Sequence, residues 1–128
     1  MRILGVDLGG VRTGLALSDP VGIICRPLDI IVSRDEDEVM AAVLAAAARE
    51  DVGEIVVGIP RPLAGGRNAQ SDRTEAFARV LAGRTTLLVS TWDERFTSKL
   101  AEAGRRGTGP ADAVAACYLL QNYLDSHK

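Results

Sequence analysis

The chain opens with Met1-Arg2-Ile3-Leu4-Gly5-Val6-Asp7-Leu8-Gly9-Gly10-Val11-Arg12-Thr13-Gly14-Leu15-Ala16-Leu17-Ser18. Residues 2–8 read as a strand, with Leu4, Val6 and Leu8 on one face and Ile3, Gly5 and Asp7 on the other. Gly9-Gly10 signals a turn, and the apolar run resumes from Thr13 to Ser18. The stretch is a hairpin. Its first strand ends on an acid, and a buried, unpaired carboxylate is costly. A metal site or a turn-capping hydrogen bond would explain Asp7, and so would a plain turn-forming role.

Moving outward, Pro20 and Gly22 mark a second turn, and Ile23 to Val32 supplies a third strand, disturbed at Pro27. Three strands with short links are antiparallel neighbours. The period then changes. Ser33-Arg34-Asp35-Glu36 reads as a capping box, and Val39, Met40, Val43, Leu44 and Ala47 recur at helical spacing up to a stop at Gly53. Glu54 to Ile59 is a buried strand, followed by a loop from Pro60 to Asn68. A helix over about 69–82 turns Phe77, Val80 and Leu81 inward and ends at Gly83. Thr86 to Thr91 is the fifth strand, Thr97 to Ala103 a short helix, and Pro110 opens a last helix reaching about Leu124. The order β-β-β-α-β-α-β-α-α gives an α/β fold with a mixed five-stranded sheet. Its first three strands are antiparallel, the later pairings parallel, and helices cover both faces.

Composition narrows the function classes. The 128 residues suit one domain, spanning 1–128, with 47% hydrophobic and 25% charged residues. No apolar stretch reaches spanning length, and an acid inside the first apolar run does not fit a signal peptide, so the expectation is a cytoplasmic protein away from membranes. Cys25 and Cys117 are far apart in sequence and match no metal or redox spacing, which reads as two reduced thiols. The net charge of −2 argues against non-specific coating of nucleic acid. The cations are nevertheless biased, with thirteen arginines and two lysines. Arginine's planar fork suits phosphate oxygens, although coding-genome composition produces the same bias.

Two further acids join Asp7. Asp93-Glu94-Arg95 follows the fifth strand directly, placing an acid at a sheet edge. Asp112 sits in the first turn of the last helix, where the macrodipole favours any Asp. Ala113, Ala115 and Ala116 then let that helix lie close to the sheet, with Cys117, Leu120 and Leu124 continuing its packed stripe. The topology can bring the ends of strands one and five and the start of the last helix to one rim. Carboxylates gathered there repel one another, and oxygen-preferring divalent cations relieve that repulsion. Two such ions about 4 Å apart can drive phosphodiester hydrolysis.

The assembled motifs resemble the YqgF/RuvX family, the Holliday junction resolvase or pre-16S rRNA nuclease group of RNase H-like proteins. The resemblance runs nearly end to end. It rests on Gly5-Val6-Asp7-Leu8-Gly9 with Arg12, Gly14, Ala16 and Ser18-Asp19; on Pro27-Leu28; on Val56-Val57-Gly58-Ile59-Pro60 with Gly65; on Asp93-Glu94-Arg95-Phe96-Thr97; and on Asp112-Ala113-Val114-Ala115-Ala116 with Leu120-Gln121 and Tyr123-Leu124. It implies an RNase H-like fold and a catalytic, metal-binding set of Asp7, Glu94 and Asp112 for Mg²⁺ or Mn²⁺. The implied activity is trimming of the 5′ end of precursor 16S rRNA in the cytoplasm, on ribosomal precursor particles, or resolution of branched DNA. The family's glycine loop corresponds to Pro60 through Arg67. One departure stands out: relatives carry a longer, lysine-rich stretch before the last-helix Asp, where this chain has only Lys99, Arg105, Arg106 and glycines.

Arg12, Arg61, Arg67, Arg73 and Arg95 are the candidate substrate contacts, each with an alternative as an ion-pair partner or solubilising charge. Thr97 and Ser98 can cap the short helix, Trp92 reads as core or edge filler, and His127 as a frayed end. A resolvase requires two sites and hence a homodimer, whereas an RNA nuclease can be a monomer. The remaining alternatives are an RNA-binding protein without turnover and a nucleotide-binding module. Asp7-Leu8-Gly9-Gly10 with Thr13 resembles the phosphate loop of sugar kinases and actin-like ATPases, but those need two lobes.

Overall fold

The computed structural model describes residues 1–62, 66–94 and 111–127, without the side chains of residues 111 and 112. Five strands, β1 (Arg2–Asp7), β2 (Arg12–Ser18), β3 (Cys25–Val32), β4 (Val52–Ile59) and β5 (Leu88–Asp93), form one sheet in the order β3-β2-β1-β4-β5. β1 pairs antiparallel with β2 and β2 with β3, while β4 runs parallel to both β1 and β5. This is the mixed sheet expected from the sequence.

Strand alternation divides the core between two faces. Leu4, Val6, Leu15, Leu17, Ile55, Val57 and Ile59 pack against α1 (Glu36–Arg49) and α2 (Ala69–Gly83), whose Val39, Met40, Val43, Phe77 and Leu81 complete that core. On the opposite face, Ile3, Ala16 and Val56 meet Ala116, Leu119, Leu120, Tyr123 and Leu124 of α3 (Ala111–Ser126). The helix is packed close to the sheet. A Cβ built on Gly5 would lie 2.9 Å from the Leu120 Cβ, and one on Gly58 would lie 2.8 Å from the Leu119 Cδ2. Glycine at these two strand positions is what admits the helix.

Several local expectations are corrected. The N-cap of α1 is Asp35, whose side chain accepts from the Asp37 N–H at 2.9 Å, rather than Ser33. Ser33 instead accepts from the Asp35 N–H and donates to Glu38. Gly53 does not end α1. The turn is made by Asp51 at φ 54°, after a C-cap at Glu50, and Gly53 lies within β4. Asp carries the left-handed conformation better than most side chains. Val80 is turned to solvent, while Phe77 and Leu81 are buried. β5 begins two residues later than expected, because Leu87 packs under the core from the preceding turn. α2 is capped as a box, Asn68 accepting from the Ser71 N–H and Ser71 accepting from the Asn68 N–H. His127 is not frayed: its ring stacks on Tyr123 with centroids 4.1 Å apart. The short helix expected over Thr97–Ala103 and the Pro110 start lie outside the described residues.

Candidate active site

Asp7 is the last residue of β1 and shares the α3-facing side of that strand with Ile3 and Gly5. The turn after it is tight. A Cβ on Gly9 would fall 2.0 Å from the Arg12 carbonyl oxygen, and the Gly9 N–H donates to Thr13 Oγ1 at 3.3 Å. Arg73 on α2 braces the same turn, donating to the Gly9 carbonyl at 3.0 Å while its Nε meets Glu36 at 2.6 Å.

Two strands away, Glu94 follows β5 directly. Alternation along β5 turns Ser90 and Trp92 toward Tyr123 on α3, and Val89 and Asp93 toward the α2 side. Glu94 continues the α3-facing set. Its Oε2 and Cγ would each lie 3.2 Å from a Cβ on Gly58, so the bare glycine leaves the room this carboxylate occupies. Burial, then the charges of Asp7 and Asp93, push the Glu94 carboxyl up from 4.5 to about 7. The site thus gathers like charges in a half-buried rim, an arrangement that favours either a bound proton or a bound cation.

The third candidate sits on α3. Ala116 and Leu120 lie over Gly5, Leu119 over Gly58, and Tyr123 beside Glu54, so the helix runs antiparallel to β1 and β4. Its N-terminal turn therefore lies toward the strand ends that carry Asp7 and Glu94. The helix rises about 1.5 Å and the strand about 3.3 Å per residue, so one helical turn back from Ala116 matches roughly two strand residues on from Gly5. The Asp112 side chain itself lies outside the described residues. Among the described residues no group of three His, Cys, Asp or Glu side chains is placed to hold a metal ion.

The arginines divide. Arg61 meets Glu75 of α2 and lies 3.6 Å from Asp93, and Arg67 meets Asp72 at 2.7 Å and Glu75 at 2.6 Å. The two guanidinium groups hold the Glu75 carboxyl below its ordinary range, Arg67 contributing most. Arg61 and Arg67 thus share one acid beside the rim, and Arg73 is engaged with Glu36 and Gly9. Arg12 opens β2 and is exposed; Arg95 lies outside the described residues.

Sequence reasoning missed the parts played by Gly58 and Asp93. The parity of the strands, which sets both on known faces, was the signal that could have found them. It also gave Ser18-Asp19 no structural part, yet the two act locally. Ser18 Oγ accepts from the Ile3 N–H at 2.8 Å, and Asp19 Oδ1 accepts from the Ile23 and Ile24 N–H groups at 2.8 and 3.1 Å, which lowers the Asp19 pKa.

Comparisons with known proteins agree with this frame. The family model described as "RuvX: Holliday junction resolvase" matches residues 1–126. A Pelotomaculum thermopropionicum protein named "Putative pre-16S rRNA nuclease" is 39% identical over 135 residues, covering 98% of this chain and 88% of its own length. A protein of the same name from Anaeromyxobacter sp. is 39% identical over 133 residues, covering 98% of this chain and 97% of its own. Among solved structures, T. thermophilus RuvC in complex with Holliday junction substrate superposes with a TM-score of 0.70 at 13% identity, covering 99% of this chain and 95% of that one. That likeness is one of fold, and the fold is RNase H-like. With a family match over residues 1–126 and relatives at this identity, the chain belongs to the RuvX family.

Proposed function

We propose that this chain is a nuclease that hydrolyses phosphodiester bonds in nucleic acid with divalent metal, acting in the cytoplasm to mature the 5′ end of precursor 16S rRNA. The observation that carries the proposal is Glu94, a half-buried carboxylate at the sheet rim whose pKa is raised to about 7 by burial and by two neighbouring acids. A rim of repelling oxygen donors is the donor set that Mg²⁺ or Mn²⁺ prefers. Asp7, Glu94 and Asp112 would hold the ions, in a two-metal arrangement within a single domain spanning 1–128. When bound, such ions supply Lewis-acid stabilisation of the charge that builds on phosphate oxygens during hydrolysis.

The chain's own residues do the rest. The Gly9 turn, braced by Arg73, fixes the position of Asp7 at the end of β1. Gly58 leaves the space in which Glu94 sits. Arg61 and Arg67, sharing Glu75 beside the rim, can exchange that carboxylate for a backbone phosphate. Arg12, Arg73 and Arg95 complete the proposed substrate contacts, Arg73 chiefly through the turn it braces.

The test is incubation of the protein with 5′-labelled precursor rRNA in Mg²⁺, Mn²⁺ or EDTA, beside the Asp7→Asn variant. Cleavage in either metal, lost in EDTA and in the variant, is the expected result. Equal cleavage by Asp7→Asn removes Asp7 from the mechanism. Binding that survives EDTA with no cleavage in Mn²⁺ instead supports an RNA-binding protein without turnover. A second reading, resolution of branched DNA, is favoured by the family description. It requires paired sites and hence a dimer. Preference for a four-way DNA junction over the rRNA leader, by a dimeric protein, would select it.

A further inference from the structure

Ninety-two positions separate Cys25 from Cys117, yet their sulfur atoms lie 2.9 Å apart. Cys25 begins the outer strand β3, and Cys117 lies on α3, the helix whose first turn carries Asp112. Both residues are half-buried, and neither is in a disulfide. The Cys25 thiol also donates to the Cys117 carbonyl at 3.1 Å. A second contact one helical turn along holds the same two elements together. Gln121 Oε1 accepts from the Cys25 N–H at 3.1 Å, and Gln121 Nε2 donates to the Ile23 carbonyl at 2.8 Å. The placement of helix against strand is therefore also held by the Gln121 side-chain amide on main-chain groups, independent of sulfur. An S–S bond of about 2.0 Å requires the two sulfurs to approach by only about 0.9 Å.

We infer that Cys25 and Cys117 are an oxidisable dithiol that forms an intrachain disulfide by exchange with a low-molecular-weight disulfide, fastening α3 to the sheet edge. One protein thiolate attacks a sulfur of the small disulfide and expels one small thiolate, leaving a mixed disulfide. The second protein thiolate attacks the protein-side sulfur of that mixed disulfide and expels the other small thiolate. In sum, the two cysteines lose two protons and two electrons, and the small disulfide is reduced to two thiols. The inference stands apart from the nuclease reading, because it concerns a different part of the same helix.

The experiment treats the intact protein with oxidised glutathione, then counts thiols, weighs the protein and maps its peptides under non-reducing conditions. The expected product runs as a single chain under denaturing, non-reducing conditions, lacks the mass of two hydrogens, has lost both thiols together and yields one cross-linked peptide pair. Cys25→Ser and Cys117→Ser, each keeping one thiol, are expected to stop at a stable glutathione adduct. Closing so long a loop is expected to raise the Tm of the oxidised wild type over the reduced form by roughly 10 °C. Stable adducts on both cysteines of the wild type, disulfides between chains, thiols inert in the folded protein, or an oxidised form no more stable than the reduced one would overturn the inference. The thiol count and mass on the wild type decide the matter even if a serine variant fails to fold.

Discussion

Glu54 and Glu94 are two acids on the same face of adjoining strands, and their surroundings are opposite. Glu54, on β4, is 5% exposed, and its Oε2 accepts from the Ser90 hydroxyl at 2.8 Å and the Tyr123 hydroxyl at 2.5 Å. Glu94, beyond β5, meets burial, Asp7 and Asp93. The first arrangement fastens the C-terminal half of α3 to the sheet. Its influence on Tyr123 is visible too, since burial and then the bond to Glu54 raise the phenol pKa. In the second, burial and two like charges act on the carboxyl together. A buried acid answered by hydroxyls is anchored in place; one answered by other acids has its protonated form favoured.

The widest separation between the two should come from Asp7→Asn. Cleavage is expected to fall by roughly 10³-fold or more with the melting curve little changed, read by rate on labelled RNA and by circular dichroism. The same variant removes one of the charges acting on Glu94, so its pKa should drop while the burial contribution persists.

Next in size is a pH dependence of stability in the metal-free protein. The Glu94 carboxyl is raised from 4.5 to about 7 in the fold, so its contribution is fully present below pH 4.5 and is lost as pH rises through 7. At about 1.4 kcal/mol per unit, the loss is about 3 kcal/mol in all. Denaturant titrations across that window should show the slope in the wild type and its absence in Glu94→Gln.

Gly58→Ala tests the space rather than the charge. Its Cβ would press on both Leu119 and Glu94, so about 1–3 kcal/mol of stability should be lost to overpacking. Cleavage should fall by roughly 10²-fold if Glu94 is displaced by about 1 Å. Tyr123→Phe should be the mildest. It leaves Glu54 with one fewer donor and costs about 1–2 kcal/mol, with cleavage within a few-fold of the wild type.

The sheet was legible in the sequence because alternation is a strong signal where one strand face is fully apolar, as with Leu4, Val6 and Leu8. Asp7 was legible because it is an acid in an apolar strand, on the face opposite Leu4, Val6 and Leu8, just before a glycine turn. Chain ends of elements were less so. Gly53 looked like a helix stop, but the left-handed position fell to Asp51, and Gly53 lies within β4. Val80 looked inward from its hydropathy alone, whereas α2 uses Phe77 and Leu81 for its buried stripe. Individual side-chain bonds between distant segments were not legible. Nothing in the spacing of Glu54 and Tyr123, or of Cys25 and Cys117, announces a bond that only the closeness of α3 to the sheet creates.

The most direct test of the acid-rim account is a carboxyl-carbon NMR titration of Glu94, with and without Mg²⁺. The expected result is a midpoint near 7 without metal and a marked downward shift on adding it. An ordinary midpoint near 4.5 that metal leaves unmoved would contradict it.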